Sequence, residues 1–522
     1  MPYSLAFFSG CNFRRKGDMN RATNRKVVFF FPAFSSREAT APLGILAVAT
    51  PLLRAGYDVR IIDSTITPSF HERVLEELAD ALCLAVSLVT GPMIRETVQM
   101  ARAAKRRYPD KPVILGGWHP SLLPHQTLAA EYVDIVVKGQ GEDALLEVVR
   151  RIEDGADMRG IAGVGYKEDG RLCFNRPREL RPIRELPPKA YHLADFDAYE
   201  RVAGRRWAMY TSSLACPYEC AYCTNQGLYG RKWNALDPEQ VVEETTDLVR
   251  RYRLSLLWVV DDNFLVDRER ALGIAEGLVR SGVQFDWSIQ ATTNLVTRLS
   301  VDELKLLRRA GLSQVSQGAD SGSPRVMKLM HKTFQTLDTI YDAACRLTAA
   351  GIRPSFNMIF GFPGETGDDI RQSIRLIMDV CRRYPGAEFW TNIFTPYPGS
   401  PVMENAFALG IEVPNTLEGW TDFFPRYTEL PWLRGRKHAR LQTMREYLRL
   451  AFSRVAISGY EPHPVARAVG TAVRITSRWR LDHDHYGWPF EIALNDAAKK
   501  MFPAMPKPKV DASLLSSEPA TC

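Results

Sequence analysis

The chain has 522 residues, more than one hydrophobic core usually accommodates, so two or three domains are expected. A hydrophobic content of 45% and a charged content of 24% are those of an ordinary globular protein, which excludes disorder except at the ends. The formal charge of +7 is spread along the chain; it suits an anionic substrate or a membrane surface and gives no argument for nucleic acid.

Residues 1–25 put their basic side chains after a very short apolar stretch, the reverse of a secretory signal, and read as a loose extension of a cytoplasmic protein. From Lys26 to Glu153 strand and helix patterns alternate. Lys26–Phe31 is a continuous apolar run, as expected for a strand buried on both faces. A helix is predicted from Pro42 to a stop at Gly56. Tyr57–Asp63, Cys83–Ser87, Val113–Leu115 and Asp134–Val137 are further strands, each followed by a turn and a helical stretch. This rhythm predicts an α/β fold over 26–153, a doubly wound, Rossmann-like parallel sheet that binds ligands at the carboxyl ends of its strands.

Residues 154–205 read as a linker, with a small hairpin from Gly163–Tyr166 and Arg171–Phe174 and a proline-rich segment, PIRELPPKAYHL. The strand–helix rhythm returns over 206–404. Its strands are Ala208–Ser212, Leu256–Val260, Phe285–Gln290, Gln314–Gln317, Ser355–Phe360 and Glu388–Phe394, which predict a partial or complete parallel (β/α) barrel. Residues 405–502 read as a helical C-terminal region. There Leu441, Met444, Leu448, Ala451, Phe452 and Val455 recur at helical spacing between Arg440, Arg445, Arg449 and Arg454, a basic amphipathic helix that suggests peripheral membrane contact. The aromatic stretch Trp420 to Trp432 reads either as a cap on the barrel mouth or as core, and 503–522 as a disordered tail. No run of about 18 apolar residues occurs, so no membrane-spanning helix is expected.

The chemistry concentrates in Cys216-Pro-Tyr-Glu-Cys220-Ala-Tyr-Cys223. Three thiolates on one short loop can converge on one inorganic core, and thiolates are the ligands that iron–sulfur clusters require. A closed structural site would take four ligands, and no fourth cysteine is near. Three ligands to a four-iron cluster leave one iron open. A zinc site with a distant fourth ligand, or three unpaired thiols, are the alternatives; the position after a predicted strand, at the start of the barrel repeat, favours the cluster.

This segment resembles the radical SAM superfamily signature, and further landmarks follow in order. Tyr222 stands at the aromatic position that lies near the adenine of S-adenosyl-L-methionine (SAM) in that family. Asp261-Asp262-Asn263-Phe264 resembles DD-x-F, Gly318-Ala-Asp320-Ser321-Gly322-Ser323 resembles G-x-E-S-G-S, and Gly361-Phe-Pro363-Gly364-Glu365-Thr366 resembles G-x-P-G-E-T. Tyr397-Pro-Gly-Ser-Pro401 matches a late PYPGSP element. Two positions depart from the pattern: Asp320 stands where Glu is usual, and Leu214-Ala215 where Arg-Gly commonly precedes the first cysteine. The resemblance implies a 4Fe–4S cluster on the three cysteines and SAM contacts from the residues numbered in these motifs. It also implies an external one-electron reductant of the flavodoxin or ferredoxin type and a barrel that excludes water from a deoxyadenosyl radical.

The N-terminal region has no G-x-G-x-x-G after its first strand, which weakens a nicotinamide reading. Pro42-Leu43-Gly44, Ser87 to Thr90, Gly116-Gly117-Trp118-His119-Pro120 and Gly139-Gln140-Gly141-Glu142 instead resemble the PPLG, S-x-x-T, GGxHP and GEGE elements of the cobalamin-binding domain fused to many radical SAM enzymes. The D-x-H-x-x-G motif is missing; Asp63-Ser64-Thr65-Ile66 stands nearest. By analogy cobalamin binds with neither its own base nor a histidine on cobalt, and His119 is expected to hydrogen-bond within its loop. The implied group includes magnesium-protoporphyrin ester cyclases and hopanoid methylases. The activity implied is methyl transfer to an unactivated carbon of a small-molecule or lipid-like substrate. Cyclisation or rearrangement without methylation, and a non-catalytic corrinoid or iron–sulfur carrier, are the alternatives.

Overall fold

The computed structural model describes residues 25–33, 39–423, 429–452 and 464–501. The expectations for residues 1–24, for the tail 503–522 and for Arg454 and Val455 therefore lie outside the described residues. The chain divides into two compact units, one within 1–202, 227–229 and 413–424, the other within 203–226, 230–412 and 425–522.

The first unit is built on β1 (Lys26–Phe31), β2 (Asp58–Asp63), β3 (Cys83–Ser87), β4 (Val113–Gly116), β5 (Ile135–Val137), β6 (Val164–Glu168) and β7 (Arg171–Phe174). They form one sheet in the order β2-β1-β3-β4-β5-β6-β7. β1 to β5 pair in parallel, with Lys26 opposite Asp58 and Val27 opposite Cys83. The order reverses between β1 and β3, and at such a switch point the strand ends leave a crevice for a ligand. Val27, Phe29, Ile45, Leu52, Cys83, Ile114 and Val148 share one core, which explains the apolar runs of the central strands.

The hairpin expected within a linker is part of this sheet. β6 runs antiparallel to β5, placing Tyr166 opposite Ile135 and Val164 opposite Val137, and both side chains enter the same core. An uncovered β5 would leave a row of unpaired N–H and C=O groups, and the hairpin covers them. The proline-rich segment is pinned too: Ala190 N–H donates to the Leu46 carbonyl at 3.0 Å and the Thr50 hydroxyl to the Pro188 carbonyl at 2.7 Å.

The second unit opens with β8 (Trp207–Tyr210), then the two-stranded pair of β9 (Ser213–Leu214) and β10 (Asn234–Ala235), followed by β11 (Leu256–Val259), β12 (Asp286–Ala291), β13 (Leu312–Asp320), β14 (Arg353–Phe360) and β15 (Glu388–Ile393). Six of these make a parallel sheet in the order β15-β14-β13-β12-β11-β8, a partial barrel with β8 and β15 at its edges. β13 runs further than expected and carries Gly318 to Asp320 at its end, with a register shift between Gly318 and Asp320.

The helix Arg436–Phe452 carries the predicted apolar stripe, and Leu441, Met444, Leu448 and Ala451 pack with Phe360 and Ile393 in the core of this unit. The stripe is thus covered by protein. Among the described residues no helix is long and apolar enough to cross a membrane.

Candidate functional site

In the second unit the three cysteines follow β9 on a loop pinned at several points. Ala215, just before Cys216, is buried with a left-handed backbone at φ 67°. Ala221, between Cys220 and Cys223, donates its N–H to the Met330 carbonyl at 3.0 Å and accepts from Val402 N–H at 3.0 Å. Val402 lies in the first turn of the short helix Pro401–Glu404, so the Tyr397–Pro401 turn, closed by the Ser400 hydroxyl on the Tyr397 carbonyl at 2.7 Å, buttresses the cysteine loop. Tyr218 stacks on Phe334 at 3.9 Å between ring centroids and accepts from the Asn294 amide at 2.8 Å.

Burial pushes all three thiols above their usual range, Cys220 to about 12 and Cys223 to about 11, so iron must displace their protons to bind. Among the described residues no three His, Cys, Asp or Glu side chains converge tightly enough to share a single metal ion. Three thiols on one short loop are the donor set an iron–sulfur cluster takes, each thiolate holding a separate iron. Orphaned buried polar atoms lie beside the loop: Asn263 Oδ1 and Asn294 Oδ1 have no partner among the described residues. A polar cofactor could satisfy such atoms.

Tyr222 donates its hydroxyl to Asp320 at 2.6 Å. Asp320, with φ 60°, is buried and paired with Lys332, which is 2% exposed and also donates to the Gly318 carbonyl at 2.6 Å. The Tyr222 and Lys332 bonds both fall on one carboxylate oxygen, Asp320 Oδ2. Lys332 escaped the sequence reading; the only signal for it was that a buried carboxylate needs a cation.

Other motif residues hold the fold. Asp261, fully buried, accepts from Ser212 N–H at 2.6 Å and from the Ser212 and Ser213 hydroxyls at 2.6 and 2.7 Å, and Arg270 in turn donates to the Ser212 hydroxyl at 2.8 Å. It fastens the strand end ahead of the cysteines. Asp262 is exposed. Ser321 lies 3.3 Å from the Ser373 hydroxyl, and Gly322 presses so close to the helix Gly367–Arg383 that a Cβ would stand 2.6 Å from Ser373 Cα.

In the third motif Gly361 and Gly364 take φ 80° and 81° around Pro363, and Gly361 N–H donates to the Glu365 carboxylate. Burial raises the Glu365 carboxyl to about 8, and its Oε1 has no partner among the described residues. The cysteine loop, Tyr222, Asp320 and Lys332 are thus joined by contacts, whereas Asp261 and Ser321 face structural partners.

In the first unit the predicted loops follow β1, β3, β4 and β5. Gly117, with φ 93°, lies against the β3 loop: a Cβ there would meet Leu88 O at 2.7 Å and Ser87 Oγ at 2.9 Å. A Cβ at Gly44 would stand 3.6 Å from the same Ser87 hydroxyl, so these three loops meet at the switch point. Gly116 backs onto the Val137 carbonyl, and Gly141 onto Val48. Gly139, with φ 79°, faces open space, and the buried Thr40 hydroxyl has no partner among the described residues, so these residues leave both room and a polar group for a ligand.

Pro42 and Leu43 start the helix Leu43–Arg54, with Pro42 at its N-cap. Glu142 opens the helix Glu142–Asp154, where burial raises its carboxyl. Gln140, where Glu is usual, uses its amide both ways on one residue, donating to the Arg181 carbonyl at 2.9 Å and accepting from Arg181 N–H at 2.7 Å. A carboxylate could not do both. His119, expected to bond within its own loop, instead meets the Thr90 hydroxyl of the loop after β3 through its Nδ1 at 2.9 Å, and its Nε2 has no partner among the described residues. His119 is fully buried under Trp420, 5.9 Å between ring centroids, and burial lowers its imidazole to about 4. Asp63 accepts from the Tyr199 hydroxyl at 2.7 Å.

Comparison with known proteins agrees with this division. A model of the radical SAM superfamily matches residues 210–377, and a model of the B12 binding domain matches residues 33–149. The chain is 27% identical over 416 residues to an uncharacterized methyltransferase of Pyrococcus horikoshii, covering 79% of this chain and 86% of that one. It is 24% identical over 313 residues to the anaerobic magnesium-protoporphyrin IX monomethyl ester cyclase of a Synechocystis species, covering 58% of this chain and 62% of that protein. Among solved structures, the radical SAM methyltransferase TsrM of Kitasatospora setae, with cobalamin and a 4Fe–4S cluster bound, superposes with a TM-score of 0.62 at 19% identity, covering 74% of this chain and 75% of that one; at that identity the likeness is one of fold. Two domain matches, in the order in which the motifs run, give this chain a B12 binding domain followed by a radical SAM domain.

Proposed function

We propose that the chain is a cobalamin-dependent radical SAM methyltransferase acting on an unactivated carbon of a small-molecule or lipid-like substrate. The observation that carries the reading is the cysteine loop, its three thiols presented beside Tyr222, in a chain whose other unit gathers glycine-lined loops at a sheet switch point. Cys216, Cys220 and Cys223 would hold the 4Fe–4S cluster. Tyr222 and the turn from Gly361 to Glu365 would face SAM, and the loops bearing Gly44, Ser87, Gly117 and Gly139 would hold cobalamin. When bound, the cluster supplies the electron that splits SAM, and cobalamin supplies a carrier for the methyl group. Lys332 and Asp320 keep the Tyr222 hydroxyl turned inward, and the Ala221 backbone bonds keep the thiols in register. Thr90 holds the His119 Nδ1 and Trp420 lies edge-on to the ring, while His119 Nε2 has no partner among the described residues.

The proposed partners are a flavodoxin- or ferredoxin-type electron donor and a cytoplasmic substrate pool, with no nucleic acid. Anaerobic reconstitution with iron, sulfide and hydroxocobalamin, followed by incubation with SAM, a strong reductant and candidate substrates, tests the reading. S-adenosylhomocysteine formed beside deoxyadenosine is the expected result. Deoxyadenosine alone would favour the cyclase chemistry named for the Synechocystis relative. A loaded protein that cleaves no SAM would be a carrier.

A further inference from the structure

We infer that Asn263 sets the reduction potential of the cluster by donating an amide hydrogen bond to the Cys216 sulfur, an inference that rests on the cluster reading above. Asn263 follows β11 and is fully buried. Its Nδ2 lies 3.9 Å from Cys216 Sγ and 3.4 Å from Thr292 Oγ1, one amide hydrogen for each, while Oδ1 has no partner among the described residues. A deprotonated sulfur can only accept, so the opposite amide orientation would set two acceptors face to face.

An iron-bound sulfur gains negative charge when the cluster takes up one electron, and no proton need move. A donor fixed against that sulfur in a buried setting stabilises the reduced state more than the oxidised one. The Cys216 sulfur also receives the Tyr218 backbone N–H, which no side-chain substitution removes. Asn263 is therefore the adjustable donor at this ligand, a positioning residue acting on the cluster through its sulfur.

The test uses the full chain reconstituted anaerobically with iron and sulfide, comparing wild type with Asn263→Leu and Asn263→Asp, both close to Asn in shape and both without the donor. Iron and sulfide are counted first. The reduced fraction is then followed by electron paramagnetic resonance in a redox titration with dithionite as the electron source. The expected result is wild-type iron content in both variants. At the poise that half-reduces the wild type, the reduced-to-oxidised ratio falls about tenfold in Asn263→Leu, ~59 mV for a one-electron couple, and further in Asn263→Asp. Full clusters with a wild-type ratio overturn the inference. Loss of iron from both variants also overturns it, assigning Asn263 to loop integrity. A wild-type chain that takes up no iron removes the cluster reading itself, a failure seen before any potential is measured.

Discussion

Ala215 carries a backbone conformation that suits glycine, one residue ahead of the first thiol. A Cβ in the left-handed region costs about 1–2 kcal/mol. Glycine there would relieve that cost and give back about 0.4–1 kcal/mol through the freer unfolded chain. Ala215→Gly is therefore expected to hold or raise stability by up to ~1.6 kcal/mol, read from urea unfolding midpoints; a clear loss would mean the conformation is unstrained. Lys332 is the opposite case, because its removal strands a charge. Lys332→Met leaves Asp320 buried with Tyr222 as its remaining side-chain partner and should cost about 3–5 kcal/mol. Adding Asp320→Asn should recover much of that loss, and additive losses in the double variant would refute the coupling. At this scale the thiols were legible, because CxxxCxxC needs no tertiary knowledge. Lys332 was not: a lysine between a helix end and a turn reads as solvated, and only the packing around Asp320 makes it a counter-ion.

Turns and strands carry the next level. The turn from Gly361 to Glu365 folds a carboxyl back onto the backbone, and burial lifts that carboxyl to about 8 against an ordinary 4.5. The folded state then binds the extra proton between those values, so the contribution of Glu365 to stability is full below about 4.5 and lost as pH rises to about 8. Glu365→Gln should flatten this part of the melting temperature's dependence on pH. Equal slopes in both proteins over that window would count against a neutral Glu365 in the fold.

Strand positions were legible from apolar runs, and β3 falls where it was predicted. The role of β6 and β7 was not, because an alternating hairpin looks the same whether it stands alone or closes a sheet edge. The motif residues divide for a similar reason. Spacing finds Ser321 and Asp261 but cannot tell a ligand contact from a bond to Ser373 or Ser212, a distinction made only by which elements come to lie alongside.

Over the whole chain, the path leaves the first unit near residue 202 and returns to it over 413–424. On that return Trp420 is fully buried, donates to the Gln126 side chain at 2.6 Å and covers His119; Glu418 accepts from Tyr132 at 2.8 Å and from Arg102 at 2.9 Å. Trp420→Ala should cost about 3–5 kcal/mol. It should also weaken an acid effect. His119 sits near 4 when folded against 6.5 unfolded, so the unfolded chain takes the proton first and stability drops as pH falls from 6.5 to 4. With the ring opened to water that drop should shrink, measured as unfolding free energy at the two pH values; an unchanged drop would show that Trp420 does not shield the histidine. Helical and strand periodicity name elements but not the unit to which a loop returns, so the aromatic stretch beginning at Trp420 could be read from sequence only as cap or core.

This looped itinerary bears on how the protein is made and how it can be cut. A ribosome must have released more than four hundred residues before the piece that shelters His119 exists, so the first unit cannot finish folding as an early, self-sufficient product of synthesis. For the same reason, exchanging gene segments at residue 202 would separate Trp420 from the histidine it protects, and a transplanted first unit would need the 413–424 stretch carried along with it.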